Sequence, residues 1–146
     1  MNDLRRHEWL LLFLRSPGGP YRTDQIRVMK GMFLLSQEGP GELQNLYRFV
    51  PYHYGPFDTT VYQDLDQLEN AGLIRSDLVA ESRQRSYDLT ERGRQFIDRR
   101  LSEFNRTGIE AVRNIKHRVT SLSFLDLLNY VYERYPDYAV KSVAKK

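Results

Sequence analysis

Apolar residues recur at helical spacing along most of this chain and switch to an extended pattern only near its middle. Residues 9–14 (WLLLFL) are apolar without a break. They predict a first helix over residues 4–15, capped by Asp3 and buried on most sides. Ser16-Pro17-Gly18-Gly19-Pro20 ends it, because proline removes a backbone donor and crowds the preceding turn. Thr23 is placed to cap a second helix running to about Ser36. Ile26, Met29, Met32 and Phe33 share one stripe of that helix, and Arg27 and Lys30 are assigned to its other face. Residues 37–41 (QEGPG) read as a break.

Residues 46–54 (LYRFVPYHY) favour extended structure, yet Pro51 cannot donate to a central ladder. The stretch therefore reads as an edge strand or an extended loop. Gly55-Pro56 makes a turn, and Asp58 caps a helix over residues 59–70. Phe57 before that cap and Tyr62 four residues beyond it have the spacing of a hydrophobic staple. Val61, Leu65 and Leu68 form its buried stripe, and Ala71-Gly72 closes it with a residue free to take positive φ.

Two short extended runs follow, 73–79 and 85–89, around a polar tip at 80–84, the pattern of a β-hairpin. Thr90 starts another helix, with Phe96, Ile97 and Leu101 inward. Thr107-Gly108-Ile109-Glu110 has the form of a capping box for a helix burying Ile109, Val112, Ile115 and Val119. Ser123 opens a last helix, with Leu127, Leu128, Val131 and Tyr132 inside, ending near Tyr135-Pro136. Residues 141–146 are expected to fray.

This order is mainly α with a small β-hairpin, in the α+β class. Helix, helix, extended piece, helix, hairpin, helix is the order of a winged helix-turn-helix, here with extra C-terminal helices. Residues 1–105 would form the winged-helix domain and 106–146 a helical extension packed on it. Within residues 64–96, the L-x-x-x-G-L-I end of the third helix precedes the hairpin and then Tyr87-Asp88-Leu89-Thr90 with Gly93. This stretch resembles PadR-like and MarR-like winged-helix regulators. The resemblance implies a homodimer that binds double-stranded DNA, using terminal helices at a twofold interface.

A second resemblance covers more of the chain. Lys30-Gly31-Met32-Phe33-Leu34-Leu35, then Tyr52-His53-Tyr54-Gly55-Pro56-Phe57 and Val61-Tyr62-Gln63-Asp64-Leu65, are similar to the Panacea family of antitoxin-like proteins. That similarity implies a protein partner such as a toxin.

Composition narrows the classes. At 146 residues, the chain has the length of one domain, and 40% hydrophobic with 28% charged residues argues against wholesale disorder. No apolar run exceeds six residues, too few to span a bilayer, and the N-terminal stretch lacks the length and cleavage site of a signal peptide. The absence of cysteine excludes a disulfide scaffold, thiol catalysis and cysteine-ligated zinc, and it fits a reducing compartment. A cytoplasmic protein is expected.

The net charge of +3 is too small to argue for nucleic acid, but its distribution is uneven. Residues 75–118 hold eleven Lys and Arg against seven Asp and Glu. Seventeen of the 22 cations are arginine.

Candidate chemistry is sparse. His7, His53 and His117 have no metal-ligand spacing, so no metal is expected. His53, among Tyr52, Tyr54 and Phe57, reads as packing rather than as a general base. No glycine pattern frames a phosphate, no elbow frames a serine, and Asp64 and Asp66 point to different sides of a helix. No catalytic residue and no cofactor is expected.

Binding is the better class. Arg83 and Arg85 on the hairpin, with Arg27 and Lys30 on the second helix, would hold a DNA backbone. Thr59, Thr60, Tyr62 and Gln63 would be presented to bases, Gln63 suiting adenine. Asp64, Asp66 and Glu69 on the same helix, which has no Lys or Arg, oppose this, since carboxylates are repelled by phosphates. Asp88, Glu91 and Asp98 could also pair with nearby arginines. The alternative is a protein-binding surface made of Tyr47, Arg48, Tyr52, His53 and Tyr54, suited to an interface hot spot.

Overall fold

The WLLLFL run lies at the centre of the molecule, with all six of its side chains buried. The computed structural model describes residues 5–16, 22–79 and 84–143. Helix α1 (Arg6–Arg15) begins at Arg5 with no side-chain cap, and the expected cap, Asp3, lies outside the described residues. Helix α2 (Gln25–Glu38) is capped by Asp24, whose carboxylate accepts from the Arg27 N–H at 2.8 Å. Thr23, expected to be that cap, instead belongs to the two-residue strand β1 (Thr23–Asp24) and pairs with Tyr87.

Between α2 and the next helix lies a hairpin of β2 (Val50–Tyr52) and β3 (Gly55–Phe57), closed by His53 and Tyr54. Residues 46–54, expected as an edge strand or an extended loop, thus pair with the segment expected only as a turn at Gly55-Pro56. Pro51 and Pro56 face each other in the register, so the ladder loses both N–H donors at a single position. Helix α3 (Thr59–Asn70) follows. Asp58 caps it by accepting from the Thr60 N–H at 2.9 Å, and the Phe57 and Tyr62 rings meet edge-on at 5.6 Å as the expected staple. Gly72 beyond its end has φ of 78°.

Strands β4 (Ile74–Val79) and β5 (Gln84–Leu89) pair antiparallel from Ile74↔Leu89 to Val79↔Gln84. With β1 they make a sheet of order β1-β5-β4. Two helices, a third helix and a ribbon added to a short first strand make the winged-helix arrangement, with β4–β5 as the wing. Helix α4 (Glu91–Arg100) leaves β5 under Thr90, whose hydroxyl accepts from the Gly93 N–H at 3.0 Å and donates to the Gly72 carbonyl at 2.6 Å. Gly93 is packed so closely that an added Cβ would lie 1.9 Å from the Leu73 carbonyl oxygen. Any side chain there would push α4 off the wing.

Helix α5 (Arg106–Ser121) is capped by Asn105, not through a box at Thr107: its side chain accepts from the Gly108 N–H at 2.7 Å. It packs on both α1 and α2, and Trp9 meets Phe104 edge-on at 4.8 Å. Helix α6 (Phe124–Arg134), capped by Ser123 as expected, rests on β3. One hydrophobic cluster therefore joins Trp9, Phe33, Leu65, Val112 and Leu127.

The end of the chain was expected to fray from residue 141. Residues 141–143 are instead docked: the Val143 N–H donates to the His53 carbonyl at 2.9 Å, and the Tyr132 hydroxyl donates to Ser142 at 2.5 Å.

Candidate functional site

Each of three helices carries one ionisable residue inside its apolar stripe. On α3 the stripe is Val61, Asp64, Leu65 and Leu68, on α2 it includes Ile26, Met29, Lys30 and Phe33, and on α5 it includes Val112, Ile115, Lys116 and Val119. All three sets have the i, i+3, i+4, i+7 spacing of one helix face. Asp64 is 1 % exposed, Lys30 3 % and Lys116 2 %. The structure treats them differently.

Asp64 is fully partnered. Its carboxylate accepts from Arg6 Nε at 2.9 Å and Nη2 at 3.1 Å, and from the Tyr47 hydroxyl at 2.7 Å; His7 Nε2 lies 3.4 Å away. The hydrogen bond to Asp64 holds the Arg6 guanidinium charged, above its ordinary range. Burial, and then the bond to this carboxylate, keep the Tyr47 phenol protonated far above its usual range. The cluster bolts α3 to the start of α1. Tyr47 is thereby buried, which corrects its assignment to a protein-binding surface.

The acidic face of α3 is accordingly smaller than the sequence suggested. Asp64 points inward. Glu69 accepts from the Ser76 hydroxyl at 2.9 Å, and Ser76 in turn accepts from Arg85 Nη1 at 3.0 Å, so this second acid is tied to the wing beside an arginine. Asp66 remains exposed, along with Thr59, Gln63, Gln67 and Asn70, while Thr60 is half-buried. His7 Nε2 holds the Gln67 amide oxygen at 2.7 Å. Arg48, exposed, shares a shallow cleft with Arg6, Asp58 and Thr60 where α3 begins, and its backbone N–H donates to Asp58 at 2.7 Å.

Three expected DNA contacts are placed elsewhere. The Arg27 guanidinium donates to the Val119 and Leu122 carbonyls at 2.9 and 2.6 Å and to Asp24 at 2.6 Å. It caps the end of α5, and each of its three nitrogens is engaged within the protein. Lys30 is inside the molecule, where no duplex reaches it. Tyr62, packed on Phe57 and lining a cavity, is not presented to bases. Arg83 lies outside the described residues. Thr59 and Gln63 are exposed and Thr60 half-buried in the first half of α3, and the exposed Arg85 on the wing reaches the last turn of that helix through Ser76 and Glu69.

Among the other arginines, Arg75 pairs with Asp88 at 3.3 Å, as the sequence allowed; Asp98 is taken instead by Arg15 of α1 at 2.5 Å, and Arg100 by Glu8 of α1 at 2.9 Å. Arg92, Arg94 and Arg99 on α4 are exposed.

Lys116 caps α1. Its ammonium donates to the carbonyls of Phe13, Leu14 and Ser16 at 2.7, 3.2 and 3.0 Å, and it stands 5.0 Å from the centre of the Phe13 ring. These are end-of-helix carbonyls that have no partner within the helix. Burial lowers the amine to about 8, opposed by the charge of Asp88.

Lys30 differs. Among the described residues no group pairs with its amine, and burial alone lowers it to about 7. Its side chain forms part of the wall of a cavity of about 350 Å³ enclosed by α2, the β2–β3 hairpin, α3, β5 and the start of α6. Tyr52, Tyr54, Phe57, Tyr62 and Phe124 supply aromatic walls. Gly55, with φ of 94°, carries the hairpin over Lys30 and Tyr132: a Cβ there would lie 3.5 Å from Lys30 Cε and 3.2 Å from the Tyr132 ring. The Tyr52 ring, part of the cavity wall and also exposed to solvent, stacks on His53 at 4.4 Å and on Phe57 at 4.7 Å.

In comparisons with known proteins, the chain matches no family model and no curated protein sequence. No helix among the described residues is long and apolar enough to cross a membrane.

Proposed function

We propose that this protein binds double-stranded DNA through α3 and the wing, as a winged-helix transcriptional regulator acting as a homodimer in the cytoplasm. The inward turn of Asp64 carries this reading. A helix in the major groove has phosphates on both sides, and each outward carboxylate weakens its approach. With Asp64 buried against Arg6 and Glu69 engaged by Ser76, the leading half of α3 offers Thr59, Thr60 and Gln63, which are uncharged hydrogen-bonding groups.

Cations stand at both ends of the helix, Arg48 beside its start and Arg85 beside its end. Gln63 has the amide that pairs with the adenine edge, and Arg48 and Arg85 suit phosphates. The resemblance to PadR-like and MarR-like regulators supports the same assignment. The apolar side chains of Leu125, Val140 and Val143, exposed near the C-terminus, suit a twofold contact.

The test separates reading from holding. Arg85→Ala should weaken binding to all duplexes about equally and reduce the salt slope by about one phosphate contact. Gln63→Ala should cost about 1–3 kcal/mol on a selected site and little on random duplex. Equal affinity of both variants and the parent would remove α3 and the wing from the interface.

A second reading rests on the β2–β3 hairpin. Val50, Tyr52, His53 and Tyr54 are exposed there, and the stacked rings form a stiff apolar surface next to Arg48. Such a surface suits a protein partner, a toxin in the reading by Panacea similarity. Binding of a partner protein that Tyr52→Ala abolishes, without any duplex binding, would favour it.

A further inference from the structure

An exposed strand edge presents a row of backbone donors and acceptors to any chain that meets it, and natural sheets blunt such edges. Strand β1 is only two residues long and runs straight into α2, and prolines 51 and 56 take donors out of the β2–β3 hairpin. The outer edge of β4 has no such device. Its six residues pair with β5 in unbroken register and include neither proline nor lysine. Among the described residues no strand lies on their other side. Arg75, Asp77, Leu78 and Val79 are exposed there, Leu78 by 60 %.

Two hydrogen bonds show which backbone groups face outward. The Thr90 N–H donates to the Leu73 carbonyl at 3.1 Å, so these two residues form a bonded pair of the ladder. Bonded and non-bonded pairs alternate between antiparallel strands, which makes Ile74, Ser76 and Leu78 non-bonded toward β5. The Arg85 N–H agrees. Opposite Leu78 in the register, it turns away from β4 and donates to the Gln25 side chain at 2.7 Å. The N–H and C=O groups of Ile74, Ser76 and Leu78 therefore point to the open edge.

The sequence of this edge is its own complement. Around Ser76 it reads Ile74, Arg75, Ser76, Asp77, Leu78: apolar, cation, hydroxyl, anion, apolar. An antiparallel copy centred on Ser76 sets each Arg75 opposite Asp77 of the other copy and each Ile74 opposite Leu78. All the outward backbone groups then meet at bonded positions. Arg75 and Asp77 fall at non-bonded positions, where opposing side chains come closest. Either neighbouring register that keeps the bonded pattern sets Arg75 against Arg75 or Asp77 against Asp77, and like charges directly opposite repel. The ion pairs these residues make within the chain, with Asp88 and Arg22, leave more than half of each side chain exposed.

We infer that β4 is a self-pairing edge, at which two copies of the chain join as antiparallel strands about a twofold axis at Ser76. Charge complementarity selects a second copy as the occupant and fixes its register. The contact needs no DNA and uses none of the C-terminal residues assigned above to a twofold contact. With both contacts present, each chain has two self-complementary surfaces, and dimers join one another. A single short strand buries little area, so the association is weak and concentration-dependent.

The measurement is sedimentation velocity of the full chain, without DNA, at concentrations up to about 1 mM. The parent should associate reversibly. Arg75→Asp and Asp77→Arg should each weaken that association about tenfold, because each turns two attractive pairs into two repulsive ones. An equimolar mixture of the two variants should associate at least as well as the parent, one edge then being acidic and the other basic. A parent that shows no concentration-dependent association, or association that neither reversal weakens, would overturn the assignment.

Cross-linking keeps the test valid if a reversed variant fails to fold. The chain has no cysteine, so introduced thiols are the only ones present. Arg75→Cys mixed with Asp77→Cys should form a disulfide-linked dimer on mild oxidation. Either variant alone should do so about tenfold more slowly, because its two thiols are diagonal neighbours, roughly 7–8 Å apart at the backbone. Equal rates for the mixture and for each variant alone would contradict the register.

Discussion

Arg6 grips Asp64 with two nitrogens, at 2.9 and 3.1 Å, across 58 residues of sequence. The contact settles the orientation of α3. It turns one acid into the protein, fixes the helix against α1, and leaves the uncharged Thr59 and Gln63 facing outward. A carboxylate buried with all its partners is worth more to orientation than to net stability, because desolvation offsets most of the attraction.

Removing one member of that cluster should therefore be expensive. Asp64→Ala leaves the Tyr47 hydroxyl and part of the Arg6 guanidinium without an acceptor. A loss of about 2–3 kcal/mol in urea unfolding is expected, below the roughly 3–5 kcal/mol of a fully buried broken pair because Arg6 is partly exposed. A loss under about 0.5 kcal/mol would show that the cluster does not hold α3.

The two buried lysines should respond in opposite directions. Lys116→Met strips the donor from three carbonyls at the end of α1 and is expected to cost about 2–4 kcal/mol. Lys30→Met removes an amine with no partner and should stabilise the protein. Thermal melts of the two variants side by side decide this, and a shared sign would contradict the difference in partners.

The Lys30 effect should also depend on pH. Burial depresses this amine from 10.5 to about 7, so between those values the unfolded chain binds more protons than the folded one. The stability of the parent should rise with pH across that window. The advantage of Lys30→Met should be greatest below pH 7 and shrink by on the order of 4 kcal/mol toward pH 10.5. A gap that stays constant from pH 6 to pH 10 would mean that the amine is solvated.

Gly55→Val tests the hairpin. A β-branched residue at φ of 94° is strained, and its Cβ would press on Tyr132 at 3.2 Å. A destabilisation of roughly 1–3 kcal/mol is expected by chemical denaturation. A variant as stable as the parent would show that the turn does not need glycine.

Local signals in the sequence were legible. The caps at Asp58, Thr90 and Ser123, the staple of Phe57 on Tyr62, and the wing follow from residues within a few positions of one another. The starts of α2 and α5, assigned to Thr23 and Thr107, were misread for a common reason. At each helix start two capping residues lay close together, and the choice depended on a distant neighbour or on which N–H was within reach; Thr23 is taken by Tyr87, 64 residues away.

The second hairpin was hidden by its own prolines, which argue against a strand until they are seen to oppose each other.

The buried ions left a signal that was available and went unused. Asp64 and Lys30 sit at stripe positions, so helical spacing alone places them inward. Charge outweighed spacing in assigning them to the surface. What spacing could not supply is the partner: Arg6 and Tyr47 for Asp64, and for Lys116 the carbonyls of Phe13, Leu14 and Ser16 at the end of α1, come from other elements, and the absence of a partner at Lys30 is visible only in three dimensions.

The most direct test of α3 as a DNA-reading helix is fluorescence anisotropy of a labelled random duplex titrated with the protein at about 50 and 200 mM salt. Saturable binding at the lower salt, weakened about tenfold to a hundredfold at the higher and further weakened by Arg85→Ala, is the expected result. No binding at the lower salt, or binding indifferent to salt, would contradict it and leave the exposed Tyr52 surface as the functional face.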